Sequence, residues 1–358
     1  SNSIRECVAK GRELFHWDEK VAKYAHETGD VRRGVGFAMF DYKTGVYPIS
    51  LEVSNCRMFM NEDGSINLQL GATEIGQGAD TVFTQMAAEA TGITEPNIHI
   101  VSTQDTDVAP FDLGAYASRQ TYVAGKAVKR AGELPKEKAL DYAAFKLKKP
   151  AAELDMREDW VVRKTSGDKL VALAELALEA QYSRERAERL FAEASIDCHE
   201  NTLATGCTFV ELEVDIPLGK VKILNILNVR DSGILINPKL AEGQVQGGMS
   251  MGIGYALFEE LLYDDKGRPL NDNLLDYKLP TAMDQPDLHA AFVEVNDPSG
   301  PFGNKALGEP PAISPAPAIR NAILQATGVA FNTLPLSPQK LVEGFTRAGL
   351  IKEVAPNV

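Results

Sequence analysis

Paired metal ligands are missing from this chain of 358 residues. Its four cysteines, Cys7, Cys56, Cys198 and Cys207, form no CxxC pair, and its five histidines are scattered, with Cys198–His199 the one adjacency. Structural zinc and iron–sulfur sites use ligands at defined spacings, so neither has a basis here. Unpatterned cysteines fit a reducing, cytoplasmic compartment better than a disulfide framework. No apolar run approaches the roughly 20 residues of a membrane span, and no signal peptide opens the chain. It starts Ser1-Asn2-Ser3, as a recombinant or processed product does. Basic charge is short as well: 37 Lys and Arg against 50 Asp and Glu give a net charge of −13, which argues against nucleic acid or an anionic membrane as partner. No P-loop, GxGxxG or flavin fingerprint occurs.

What is present is an ordinary globular composition, 44% hydrophobic and 24% charged, long enough for two lobes with substantial cores. The most informative stretch is Gly303-Asn304-Lys305-Ala306-Leu307-Gly308-Glu309-Pro310-Pro311. The prolines fix the backbone just after Glu309, while Gly308 lets the chain approach a ligand closely. Ala312 to Thr327 reads as a helix, placing Glu309 near its N-terminus. A carboxylate held in this way can act as a base, although a solvated Pro-rich turn has the same look.

Three further segments share a glycine-rich character. Gly71-Ala72-Thr73-Glu74-Ile75-Gly76-Gln77-Gly78 follows the strand-like Ser65–Leu70 and precedes a helix with Val82, Phe83, Met86, Ala87 and Ala90 on one face and Gly92 as its stop. Strand, loop, helix start is an arrangement that points free backbone N–H groups at an anion or oxo group. Gly114-Ala115-Tyr116-Ala117-Ser118-Arg119-Gln120 again sets small residues before a helix, with Ser118 as its expected N-cap. Gly243 to Glu260 reads as a helix containing Gly247, Gly248, Gly252 and Gly254, whose cost must be offset by close packing or a ligand.

Taken in this order, the strings GATEIGQG, AYASRQ and KALGEPP resemble those of the xanthine dehydrogenase and aldehyde oxidoreductase family of molybdenum hydroxylases. The resemblance runs from about Arg33 to the C-terminus. It corresponds to the C-terminal half of a molybdenum-binding subunit, nearest to bacterial xanthine dehydrogenases. It implies molybdopterin, as the cytosine dinucleotide, with the metal held by the pterin dithiolene and by no protein ligand. It further implies that Gly76, Gln77 and Gly78 line the cofactor, Gln77 bonding an oxo ligand, that the backbone at Ala117, Ser118 and Gln120 holds the phosphate end, and that Glu309 is the base. Met251 stands where many members carry a cofactor-contacting glutamine, and Tyr47 stands at a position close to substrate in relatives.

Hydroxylation with water as oxygen source needs an activated hydroxide, a base and an acceptor for the departing hydride, and Glu309 can supply only the base. The family's other cofactor-binding half, with most substrate-selecting residues, is not in this sequence. That half, FAD and 2Fe–2S clusters are therefore expected on partner chains or domains, in an assembled enzyme that dimerises. A purine substrate is favoured. An aldehyde, nicotinate or acyl-CoA hydroxylase is the alternative, as is a non-catalytic assembly subunit.

The expected fold class is α+β: two related lobes of mixed sheet packed with helices, as in molybdenum-cofactor-binding domains. The first lobe spans 1–195 with a helical insert at about 132–193, and the second spans 196–358. A helix is expected over Arg5–Glu27, then strands at Val35–Tyr42, Ser65–Leu70 and Asn97–Ser102 in the first lobe. The insert carries a hairpin at Trp160–Arg163 and Ser166–Asp168. Phe209–Asp215 alternates apolar and acidic residues as a half-exposed antiparallel strand does, and Lys220–Val229 is its expected partner through Pro217-Leu218-Gly219. A last strand is expected at Ala290–Val295. Such alternation argues against a doubly wound parallel sheet.

Overall fold

A computed structural model describes residues 2–101 and 105–351. The N-terminal helix expected in one piece is two, α1 (Ile4–Leu14) and α2 (Trp17–Tyr24), broken where His16 takes a left-handed φ of 54°. The break lets both neighbouring aromatics reach one ring: Phe15 and Trp17 lie 5.5 and 5.6 Å from Phe209, centroid to centroid. The chain continues through β1 (Val31–Lys43), β2 (Val53–Met60), β3 (Ile66–Leu70), α3 (Ala79–Thr91) and β4 (Ile98–Val101). Gly92 ends α3 at φ 81°, as its position predicts, and Ser102 lies outside the described residues. The insert holds the long α4 (Gln120–Leu147), a three-stranded sheet of β5 (Leu154–Arg157), β6 (Trp160–Arg163) and β7 (Lys169–Ala172), and α5 (Leu173–Tyr182). After these come β8 (Phe191–Asp197), β9 (Leu203–Asp215), β10 (Lys220–Asp231), α6 (Pro238–Leu257), β11 (Leu288–Phe292), α7 (Pro315–Thr327) and α8 (Pro338–Arg347).

Two four-stranded sheets have the same plan. In the order β8-β2-β3-β4, the first pair and the second pair are antiparallel, while β3 and β4 are parallel with α3 as their crossover. The order β1-β9-β10-β11 repeats this, with α6 crossing between the parallel β10 and β11. The fold is thus α+β with a duplicated mixed-sheet unit, as the alternating strands suggested. One strand is exchanged relative to expectation. β1 follows the N-terminal helices yet pairs with β9 along its full length, Val31 opposite Asp215 and Lys43 opposite Leu203, so it belongs to the second sheet and not to the first. Its glycines explain the choice: a Cβ on Gly36 would sit 2.0 Å from the Ala318 carbonyl, so β1 can lie directly against α7.

Each sheet buries its own core. Met58, Leu68, Phe83, Val128 and Tyr142 fill the first, and Val210, Ile226, Ile253, Ile319 and Phe345 fill the second. No described helix is long and apolar enough to cross a membrane.

Candidate active site

The Glu309 segment is anchored before and after the carboxylate. Upstream, Lys305 is fully buried and its Nζ donates to Asp231 Oδ2 at 2.6 Å, the oxygen that also accepts from Ser3 Oγ. The Ala306 N–H donates to Thr44 Oγ1. Beside them Arg230 is buried over the Phe40 ring, donating through Nε to Ser232 Oγ; burial lowers its pKa from the usual arginine range to about 9. Downstream, Pro310–Ala312 forms one 3₁₀ turn, and Ser314 Oγ meets Thr208 Oγ1 at 2.7 Å beneath it.

The glycines of α6 fit this segment closely. A Cβ on Gly248 would stand 2.6 Å from Pro311 Cβ, and one on Gly252 would stand 2.8 Å from Pro315. Close packing therefore answers for these two. Gly243 and Gly247 meet nothing within 4 Å and face open space.

The AYASRQ turn is strained and held by a buried cation. Ala117 and Ser118 both adopt left-handed φ, 47° and 49°, at a cost of order 1 kcal/mol or more each for residues other than glycine. The Arg119 guanidinium just after them is fully buried. It binds Glu52 Oε2 at 2.5 Å, Asp112 Oδ1 at 2.8 Å and the carbonyls of Gly114 and Val53. Burial alone would lower its pKa, but the two carboxylates outweigh that and raise it. Ser118 is not the N-cap expected of it. α4 begins at Gln120 with Arg119 in the cap position, and the Ser118 hydroxyl turns instead to Glu309. The amide N–H groups of Gln120 and Thr121 make no bond among the described residues.

The GATEIGQG loop differs from expectation in one chemical respect. Its N–H groups are not free: Glu74 accepts from Gly76 and Gly78 through Oε1, at 2.7 and 3.2 Å, and from Asp80 through Oε2 at 3.0 Å. Burial opposes the charge on Glu74, yet these backbone bonds prevail and lower its pKa below the ordinary carboxyl value. Gln77 is engaged as well. Its Nε2 donates to Thr73 O and to Gln120 Oε1 at 2.6 Å, while its Oε1 accepts from the Ile75 N–H.

These loops meet in one cleft of about 450 Å³, bordered by Gln77, Gly78, Ser118, Gln120, Met251 and Glu309. Gly76 and Ala117 lie just outside its lining. Glu309 is exposed at the rim rather than buried. Tyr47 is not there. Glu52 binds the Val46 N–H and draws the 44–52 loop toward Arg119, so that Tyr47 stands edge-on to His199 at 5.5 Å. Tyr42, two strand residues earlier than the loop, reaches the carboxylate instead. Nothing local in the sequence marks Tyr42, Glu74 or Arg119 for these roles. A separate hollow of about 730 Å³ beside Glu95, Lys136 and Asp155 contains none of these residues. Among the described residues no group of three or more His, Cys, Asp or Glu could hold a metal ion.

The fold and the cleft together define a cofactor-binding domain. The chain belongs to the molybdopterin cofactor-binding domain family, which it matches over residues 10–286. It is 52% identical, over 98% of its own length, to the xanthine dehydrogenase molybdenum-binding subunit of Escherichia coli O157:H7, covering 47% of that protein. It is 31% identical over 91% of its length to the gamma subunit of the 6-hydroxypseudooxynicotine dehydrogenase complex of Paenarthrobacter nicotinovorans. The CO dehydrogenase structure from Oligotropha carboxidovorans superposes with a TM-score of 0.88 at 27% identity, over 98% of this chain and 46% of that one. The chain therefore spans about half the length of the curated relatives it matches.

Proposed function

We propose that this chain forms one wall of the active site of a xanthine dehydrogenase-like molybdenum hydroxylase acting on a purine, with Glu309 as its base. The observation that carries this reading is the convergence of Gln77, Ser118, Gln120 and Glu309, from three distant segments, on one cleft. A purine is preferred because the xanthine dehydrogenase subunit stands at 52% identity, while the 6-hydroxypseudooxynicotine dehydrogenase subunit stands at 31%.

The donor set suits a pterin. The cleft offers the side-chain amide of Gln244 and the unbonded N–H groups of Gln120 and Thr121, which match a neutral heterocycle and its phosphate ester, while the amides of Gln77 and Gln120 bond each other and the Thr73 carbonyl. The cations at its edge, Arg119 and Lys305, are already committed to buried carboxylates. We place the pterin against Gly78, Gln77 and Met251 and its phosphate end at the start of α4. Glu74 keeps the N-terminus of α3 for itself, so Gln77 would meet the cofactor through its side-chain amide by exchanging one of its bonds to Thr73 and Gln120.

When bound, the molybdenum group supplies the water-derived oxygen and takes up the electron pair that leaves the substrate. This chain's part is to hold the cofactor and to accept a proton at the Glu309 carboxylate. Because Glu309 stands at an open rim, a second cofactor-binding half must cover the cleft and exclude water. Partner iron–sulfur and FAD chains would carry electrons onward, the pterin would carry a cytosine nucleotide, and the assembled enzyme would be a cytoplasmic dimer.

Glu309→Gln in the assembled enzyme tests the reading. The near-isosteric change should keep the shape and the molybdenum, and lower the reductive half-reaction by at least the roughly 10²–10⁴-fold that a positioned base supplies. Full turnover with molybdenum bound would make Glu309 a turn residue and remove the basis of the proposal.

A further inference from the structure

We propose that Ser118 and Tyr42 form a clamp that fixes the Glu309 carboxylate through one oxygen and reserves the other as the one that takes the proton. The inference rests on Glu309 being the base. Tyr42, from β1, donates its hydroxyl to Glu309 Oε2 at 2.8 Å, and Ser118, from the strained turn before α4, donates to the same oxygen at 2.8 Å. The Ser118 hydroxyl also accepts the Glu309 N–H at 3.1 Å, so one side chain sets both backbone and carboxylate. Oε1 receives no hydrogen bond among the described residues. Two donors converging on Oε2 hold that oxygen in place, and Oε1 is left without a donor.

The strain at Ala117 and Ser118 and the buried Arg119 cluster acquire a purpose in this arrangement. They present the Ser118 hydroxyl from a backbone conformation that an ordinary helix start would not adopt. Tyr42 is suited to a permanent donor role. Burial, then its bond to Glu309 and that group's charge, push its phenol far above the usual tyrosine value. The surrounding cations do not intervene: Lys43 donates to the Val46 carbonyl, Lys305 is buried against Asp231 and Arg119 against Glu52 and Asp112. Ser118 and Tyr42 are positioning residues, acting through Glu309.

The clamp can be tested without cofactor. Alkaline titration of the isolated chain, followed by tyrosinate absorbance and corrected with Tyr42→Phe, isolates one of its ten tyrosines. Tyr42 should titrate well above the ordinary value of about 10, and Glu309→Gln should move it down by removing the neighbouring charge. An unchanged midpoint in Glu309→Gln would overturn the clamp. In the assembled enzyme, Tyr42→Phe and Ser118→Ala should each lower kcat by roughly 10- to 100-fold with KM little changed, as misplacement of a reacting group does. Unchanged kcat in both variants would also overturn it. The Glu309→Gln turnover tests the base itself, so the two ideas fail separately.

Discussion

Gly248 of α6 and Pro311 are in such close contact that a methyl group on the glycine would stand 2.6 Å from the proline Cβ. The glycine thereby sets how near α6 can lie to the turn that follows Glu309.

Gly248→Ala should therefore be destabilising by about 1–3 kcal/mol, the usual range for overpacking, less the helix-propensity gain of up to about 1 kcal/mol. One position earlier, Gly247 faces open space, and Gly247→Ala should be neutral or stabilising by up to about 1 kcal/mol. Urea unfolding of both variants reads the contrast. Equal effects would show that α6 tolerates a Cβ on either face.

Arg119→Met leaves the carboxylates of Glu52 and Asp112, with side chains 1% and 0% exposed, without their cation. Breaking a buried ion pair in this way costs about 3–5 kcal/mol. The urea midpoint should fall accordingly. A loss under 1 kcal/mol would mean that water reaches the cluster.

For Glu74 the pH dependence has a definite sign. Its folded pKa is depressed below the ordinary 4.5, so its contribution is fully present above that value and disappears as pH falls through the lower folded value. Glu74→Gln should cost about 1 kcal/mol at neutral pH, the usual size of a helix-cap loss, and the two proteins should converge in acid. Unfolding free energies measured across that range would decide it. A constant gap down to the lowest pH would point to packing instead of charge.

Purified alone, the chain should contain far less than one molybdenum atom per molecule, because the cleft is open where Glu309 stands. Metal analysis by mass spectrometry measures this directly. Stoichiometric metal in the monomer would show that this wall is sufficient for cofactor binding.

Much of the fold was legible because its signals are local. The acidic–apolar alternation of Phe209–Asp215, the Pro-Leu-Gly turn before β10 and Gly92 at the end of α3 each act within a few residues. The loops that meet in the cleft were legible through their glycines. What was hidden depends on partners distant in sequence: Tyr42 and Ser118 reach Glu309 across 267 and 191 positions, and no spacing rule spans such gaps. Glu74 was overlooked for a different reason. The loop was read as a row of donors, and a carboxylate two residues upstream satisfies them first. Tyr47 was named from the resemblance alone, and Glu52, by binding the Val46 N–H and Arg119, holds its loop where Tyr47 stands against His199.

The pairing of β1 with β9 has a topological consequence. Lys43 and Leu203 are opposite neighbours, and the Thr44 N–H bonds the Thr202 carbonyl at 2.8 Å, so everything between them is an excursion that leaves and returns at one point. Ser118 and Gln77 ride on that excursion, while Tyr42 and Glu309 belong to the body it departs from. The width of the cleft is consequently set by docking contacts such as Tyr122–Ser299 and Gln85–Asn237, much as two subunits would set it, although a single chain supplies both sides.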